Sequence, residues 1–209
     1  MHVAAPMNPP PARAAPRTRG ALQIIRDEHA SVAAVLQSLR QLLQRGPGEA
    51  PQQFFDVLRA MLFYIDEFPE RLHHPKESDL LFPRLLRRAP ELLPVVKRLE
   101  DDHVSGQARV RALQHQLLAW ELLGEGRRAE FEREALAYVD FYLQHMQAEE
   151  RELLPVAARV LDAADHAALD RAFRGNEDPL AAGQSDPRFE RLFTRIVLRA
   201  PAPIGVGPA

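Results

Sequence analysis

Cysteine is absent from this 209-residue chain, which removes disulfide frameworks, thiolate zinc sites, cysteine-ligated iron-sulfur clusters and cysteine nucleophiles together. Any metal must therefore sit on nitrogen and oxygen. The chain has no apolar run approaching the roughly 18 residues of a membrane span. Its start, MHVAAPMNPPPARAAPRTRG, holds no apolar segment of the signal-peptide kind. The expected location is the cytoplasm. A charge excess is missing too: 27 basic and 29 acidic residues are mixed along the chain, for a net charge of −2. Neither nucleic acid nor a membrane is an expected partner. What is present, 46% hydrophobic residues over this length, suits one well-cored domain.

Residues 1–19 hold five prolines and three arginines without periodicity, the composition of a disordered tail. From Ala21 the pattern changes. Leu22, Ile25, His29, Val32, Leu36, Leu39 and Leu43 recur at spacings of three and four, one face of a helix. The stretch from Gly46 to Pro51 breaks it. A second helix is predicted from about Gln52 to Arg88 through Leu58, Leu62, Ile65, His73, Glu77 and Leu80, kinked by Pro69, Pro75 and Pro83. A third carries Leu92, Val96, Leu99, His103, Gly106, Val110, Leu113, Leu117 and Trp120, and stops at Gly124. The fourth runs from about Arg127 to Ala164, with Phe131, Tyr138, Phe141, His145, Glu149, Val156 and Val160 inward. Short polar connections between long amphipathic helices predict an all-α fold, an antiparallel up-down-up-down four-helix bundle over residues 20–165. Residues 166–209 are read as a helical extension and tail, with short helices at 166–174 and 187–198.

The chemistry lies where the apolar stripes are interrupted. His29 and His103 occupy core positions in helices one and three, and His73 with Glu77 and His145 with Glu149 do so in helices two and four. A histidine and a glutamate four residues apart share a helix face, so each such pair can converge on one point. Burying six polar groups unpaired would cost several kcal/mol each, and a metal pair satisfies them together. An internal duplication strengthens the reading. Asp27-Glu28-His29-Ala30-Ser31 resembles Asp101-Asp102-His103-Val104-Ser105, and 44 residues separate His29 from His73 where 42 separate His103 from His145. His73, Glu77 and Pro83 repeat the spacing of His145, Glu149 and Pro155.

One neighbour competes for these roles. His74 adjoins His73 and reaches the site if Pro75 rotates the helix, whereas the spacing to Pro83 selects His73. Asp27, Glu28, Asp101 and Asp102 stand too close to their own histidines to share a face with them, and are expected to be surface charges, with support behind metal-bound histidines as the alternative. His2, His115 and His166 have no carboxylate at ligand spacing and are expected to be exposed. Gly106 lies on the inward stripe, either for close helix packing or for room beside a metal. Tyr142, one turn before His145, is expected to pack.

The order H, HxxxE, H, HxxxE, with the segment LHHPKESDLLFP, resembles the hemerythrin-like HHE cation-binding domains over roughly residues 21–165. The resemblance implies a four-helix bundle with a carboxylate-bridged pair of iron ions, oxo- or hydroxo-bridged, on His29, His73, Glu77, His103, His145 and Glu149. Classical carriers of the family have a fifth histidine where this chain has Gln107. They place the last carboxylate where this chain has Glu150, but Glu149 repeats the Glu77 spacing. Four imidazoles and two bridging carboxylates leave iron positions open to a small ligand: dioxygen, peroxide or nitric oxide. Sensing, detoxification and iron-centre repair are the expected roles. A non-catalytic iron-binding module and a metal-free helical interaction protein are the alternatives.

Overall fold

A computed structural model describes residues 19–176 and 190–200. Residues 1–18, most of the expected tail, lie outside it, as do 177–189 and 201–209. The described residues are helical, with no strand among them. Helix α1 is Ala21–Arg45. Helix α2 spans residues 51–88 as Pro51–Glu67, a π-helical turn Pro69–His73, a short stretch His74–Lys76, a second π turn Glu77–Leu81, and Phe82–Arg88. Helix α3 is Leu93–Leu123. Helix α4 spans residues 128–160 as Arg128–Ala148, a π turn Glu149–Leu153, and Leu154–Val160. Helix α5 is Ala163–Phe173 and α6 is Glu190–Arg199, where shorter helices were expected at 166–174 and 187–198.

The stops follow from backbone chemistry. Gly46 (φ 68°) turns its amide onto the carbonyls of Leu42 and Leu43, and Gly124 (φ 87°) bonds that of Trp120. Both conformations are left-handed, where a Cβ is strained. Asp162 starts α5 by accepting from the amides of Ala164 and Asp165, both at 2.9 Å.

The three π turns share one cause. A proline inside a helix clashes with the carbonyl four residues back. For Pro75, Pro83 and Pro155 that residue is Arg71, Asp79 and Arg151, and each lies inside one of the turns. The helix widens there rather than ending, and each widened turn inserts an extra residue into the register. The prolines thus shift the helix face where a plain kink was expected.

Contacts between neighbours run in opposite senses. Between α2 and α3, Arg59 meets Glu121, Asp66 meets Arg111 and Ser78 meets His103. Between α1 and α4, His29 meets Glu150 and Arg40 meets Asp140. Between α3 and α4, Asp102 meets His145 and Trp120 meets Phe131. Helix α5 packs on α1, and α6 on α2.

Two apolar clusters fill the interior, one including Leu36, Leu39, Leu58, Met61, Trp120 and Phe131, the other Ile25, Leu81, Leu85, Leu99, Leu153 and Phe173. Each such side chain stabilises the fold by about 1.5–3 kcal/mol. On the four long helices, Glu28, His29, Glu70, His73, His74, Glu77, His103, His145 and Glu149 lie where these two sets meet, whereas Ser38 and Asp66 are buried within the first.

Candidate metal centre

Every residue singled out as a ligand is buried in that polar layer: His29, His73, Glu77, His103, His145 and Glu149 are each at most 8% exposed. Their donor atoms form two groups. His29, His73, Glu77 and Glu149 come together in one, and His74, His103 and His145 in the other, with the donor atoms of each group within 4.8 Å of one another. The carboxylates span the two. Glu77 has Oε1 3.0 Å from His73 Nε2 and Oε2 3.6 Å from His103 Nε2. Glu149 has Oε2 3.1 Å from His29 Nε2 and Oε1 3.8 Å from His145 Nε2.

These groups fit a cation. Of the ten buried side-chain polar atoms without a hydrogen-bond partner among the described residues, seven are here: Nε2 of His73, His103 and His145, and both oxygens of Glu77 and Glu149. An unsatisfied buried group costs about 1–3 kcal/mol, and one that aims at a common point with others is what a metal corrects. The donor set is nitrogen and oxygen throughout, as iron and other first-row ions accept.

Behind the imidazoles stands a crossed set of partners. Glu28 Oε2 lies 2.6 Å from His73 Nδ1, and Asp102 Oδ2 lies 3.4 Å from His145 Nδ1. Glu150 Oε1 lies 3.1 Å from His29 Nδ1, and Ser78 Oγ lies 3.1 Å from His103 Nδ1. The residue before each odd-helix histidine therefore holds the histidine of the next helix. The residue after each of Glu77 and Glu149 holds the histidine of the paired helix. Glu28 and Asp102 thus take the supporting role that was the alternative to a surface position, because same-helix spacing says nothing of a histidine on the next helix; the sequence signal for them is their repetition at matching places in both halves. Asp27 is solvent-facing, paired with Arg19. Glu150 has a side chain 42% exposed and sits behind His29, while Glu149 is 1% exposed and inside.

His74 is in the polar layer because the π turn at Pro69–His73 lets consecutive residues both face inward. Its ring stacks on that of His103 at 4.0 Å. Both its nitrogens are engaged: Nδ1 lies 3.1 Å from Glu70 Oε2, and Tyr142 Oη donates to Nε2 at 2.7 Å. Glu70 in turn accepts from Tyr138 Oη at 3.4 Å. Gly106 explains how Glu70 fits, since a Cβ there would stand 3.0 Å from Glu70 Oε1. The glycine makes room for a carboxylate that orients a histidine. Gln107 is only half-buried. His115 is exposed, His166 half-buried, and His2 lies outside the described residues.

Electrostatics separate the two groups. Burial lowers the His29 imidazolium, but Glu149 and Glu150 outweigh it and raise the pKa from 6.5 to about 9. His73 is raised well above its usual value, burial again being outweighed by Glu77 and Glu28. His103 is lowered to about 3 by burial and then by His145, and His74 is lowered well below 6.5 by burial and then by His103. Burial pushes Glu77 up, with Glu149 adding to it. Glu149, although burial opposes this, is drawn down to about 2 by His145 and His29.

The family model of the hemerythrin HHE cation binding domain matches residues 20–157. The chain belongs to that family. No curated protein matches the chain. In this hemerythrin HHE domain, two surface hollows lie beside the histidine and glutamate cluster that could hold cations, one lined by His29 and the other by His145. One, of about 470 Å³, is bounded by Arg26, His29, Leu143, Met146 and Glu150. The other, of about 420 Å³, is bounded by Arg98, Asp102, Phe141, His145 and Glu152.

Proposed function

We propose that this hemerythrin HHE domain holds two iron ions and binds or reacts with a small ligand: dioxygen, peroxide or nitric oxide. The observation that carries this reading is that Glu77 and Glu149 each present one oxygen to each histidine group. One ion would sit on His29 and His73, the other on His74, His103 and His145, with both carboxylates shared. His74 thus joins the six residues proposed from the sequence, filling the role that Gln107 leaves empty. Iron so held supplies redox and ligand-binding chemistry toward small oxygen and nitrogen molecules.

The protein's own share is positional. Glu28, Asp102, Glu150 and Ser78 fix the rings and direct each Nε2 inward. The apolar clusters above and below flank the layer, and the hollow lined by His29 is the place where a small molecule would come nearest to the first group. For His74 to serve as a ligand, the Tyr142 hydroxyl must leave Nε2, after which it can donate to a bound ligand. Among the described residues no helix is long and apolar enough to cross a membrane.

The test is metal analysis of protein expressed with ample iron, with the optical spectrum of the oxidised form recorded before and after adding azide. About two irons per chain and an azide-sensitive charge-transfer spectrum are expected from an open imidazole and carboxylate site. Iron near zero would defeat the reading.

A further inference from the structure

Helix α5 lies beyond the segment that matches the family, yet it reaches the polar layer. Its Phe173 is fully buried with its ring edge-on to His73, centroids 5.9 Å apart. Asp170 Oδ1 accepts from the Ala21 amide at 2.7 Å, tying α5 to the start of α1. Three residues past the end of α5, Asn176 Nδ2 donates to Glu28 Oε2 at 3.2 Å. That is the same oxygen that stands 2.6 Å from His73 Nδ1. On its other side Asn176 accepts, through Oδ1, from the ammonium of Lys76. An ammonium can only donate and a carboxylate only accept, so the amide has one orientation between them.

We infer that Asn176 is a positioning residue for the metal on His29 and His73, acting through Glu28. The inference rests on the proposed ligand set. Glu28 is on α1 and His73 on α2. Their contact fixes the ring only if the carboxylate itself is fixed, and Asn176 supplies the bond that does so from a third direction. The other half of the centre has no such strut described. There the equivalent carboxylate, Asp102, lies 3.4 Å from His145 Nδ1 with a side chain 26% exposed, against 3% for Glu28. The protein therefore contains its own control: a defect in the strut should touch one ion of the two.

The experiment is transfer of iron from the loaded full-length protein to a strong chelator, followed optically. Asn176→Ala should speed release of one ion per chain by about tenfold or more, the range of outer-partner changes at metal sites, and leave the other ion at the parent rate. Asn176→Asp keeps the shape but puts a second carboxylate against Glu28, so it should speed the same ion at least as much. A residue that only packs would tolerate that change. Lys76→Met, which removes the orienting group without touching Glu28, should act in the same direction by a smaller factor. Helix content of the metal-free variants should match the parent. Parent-like release from both Asn176 variants would overturn the inference, and so would equal acceleration of both ions. A parent that retains no iron would instead defeat the ligand set on which the inference rests.

Discussion

The His29 and His73 half of the centre and the His103 and His145 half descend from one repeated pattern, and they differ in what stands behind the rings. Carboxylates back both His29 and His73 at 3.1 and 2.6 Å, whereas a hydroxyl backs His103 and a more distant carboxylate, at 3.4 Å, backs His145. The second half also contains His74, a third imidazole with no counterpart in the first. The result is a proton-rich half, with His29 raised to about 9, beside a proton-poor half, with His103 lowered to about 3. A shared backbone template places the donors; burial, the carboxylates beside His29 and the imidazoles beside His103 decide how readily each gives up a proton to a metal.

The comparison can be broken outright by removing what both halves share. Glu77→Ala takes one oxygen from each group, so both ions should be lost, and iron analysis should read near zero in a chain that remains helical. A protein that kept one firmly bound ion would show that Glu77 serves a single half. His73→Ala is the next largest change. It should cost the ion on that half and leave the other, reducing iron content by about one ion per chain, while His115→Ala on the exposed face of α3 should cost none. Equal losses from both would undo the ligand assignment.

Outer partners sharpen the contrast. Glu28→Gln removes a buried charge behind His73 and should weaken iron binding on that half by about 10- to 100-fold. Ser78→Ala behind His103 removes only a neutral hydrogen bond and should do less, and competition with a graded chelator would rank the two.

The mildest effect is that of pH. In the metal-free protein the raised His29 stabilises the fold fully below 6.5, and that contribution is lost as pH rises through about 9. The depressed His103 acts oppositely, its neutral form favoured above 6.5 and the fold losing stability as pH falls toward about 3. Thermal unfolding of the metal-free protein should therefore show a maximum near 6.5. Iron binding to the first half should release a proton from His29 below about pH 9 and cease to do so above it, while the second releases none from His103 above about pH 3. Proton counts from calorimetry in two buffers would check it, and a count independent of pH would contradict the contrast.

Much of the centre was written in the sequence. Spacing placed His29, His73, Glu77, His103, His145 and Glu149 on inward stripes because helix periodicity is local, and the repeated H and HxxxE pattern marked them as a set. Stripe positions also anticipated the long helices and their apolar faces, since those depend on residues three and four apart. What the tertiary structure alone decided depends on geometry that no local spacing contains. His73 and His74 both face inward because Pro75 forces a widened turn upstream, and widening overrides the regular period. Glu28 and Asp102 matter to histidines on neighbouring helices, a relation that exists only once the helices are packed. Gly106 is small for the sake of Glu70 on α2, and Asn176 meets Glu28 across 148 residues of chain. Periodicity fixes which side of a helix a residue occupies; which side chain waits across the gap is settled only when the chain folds back on itself.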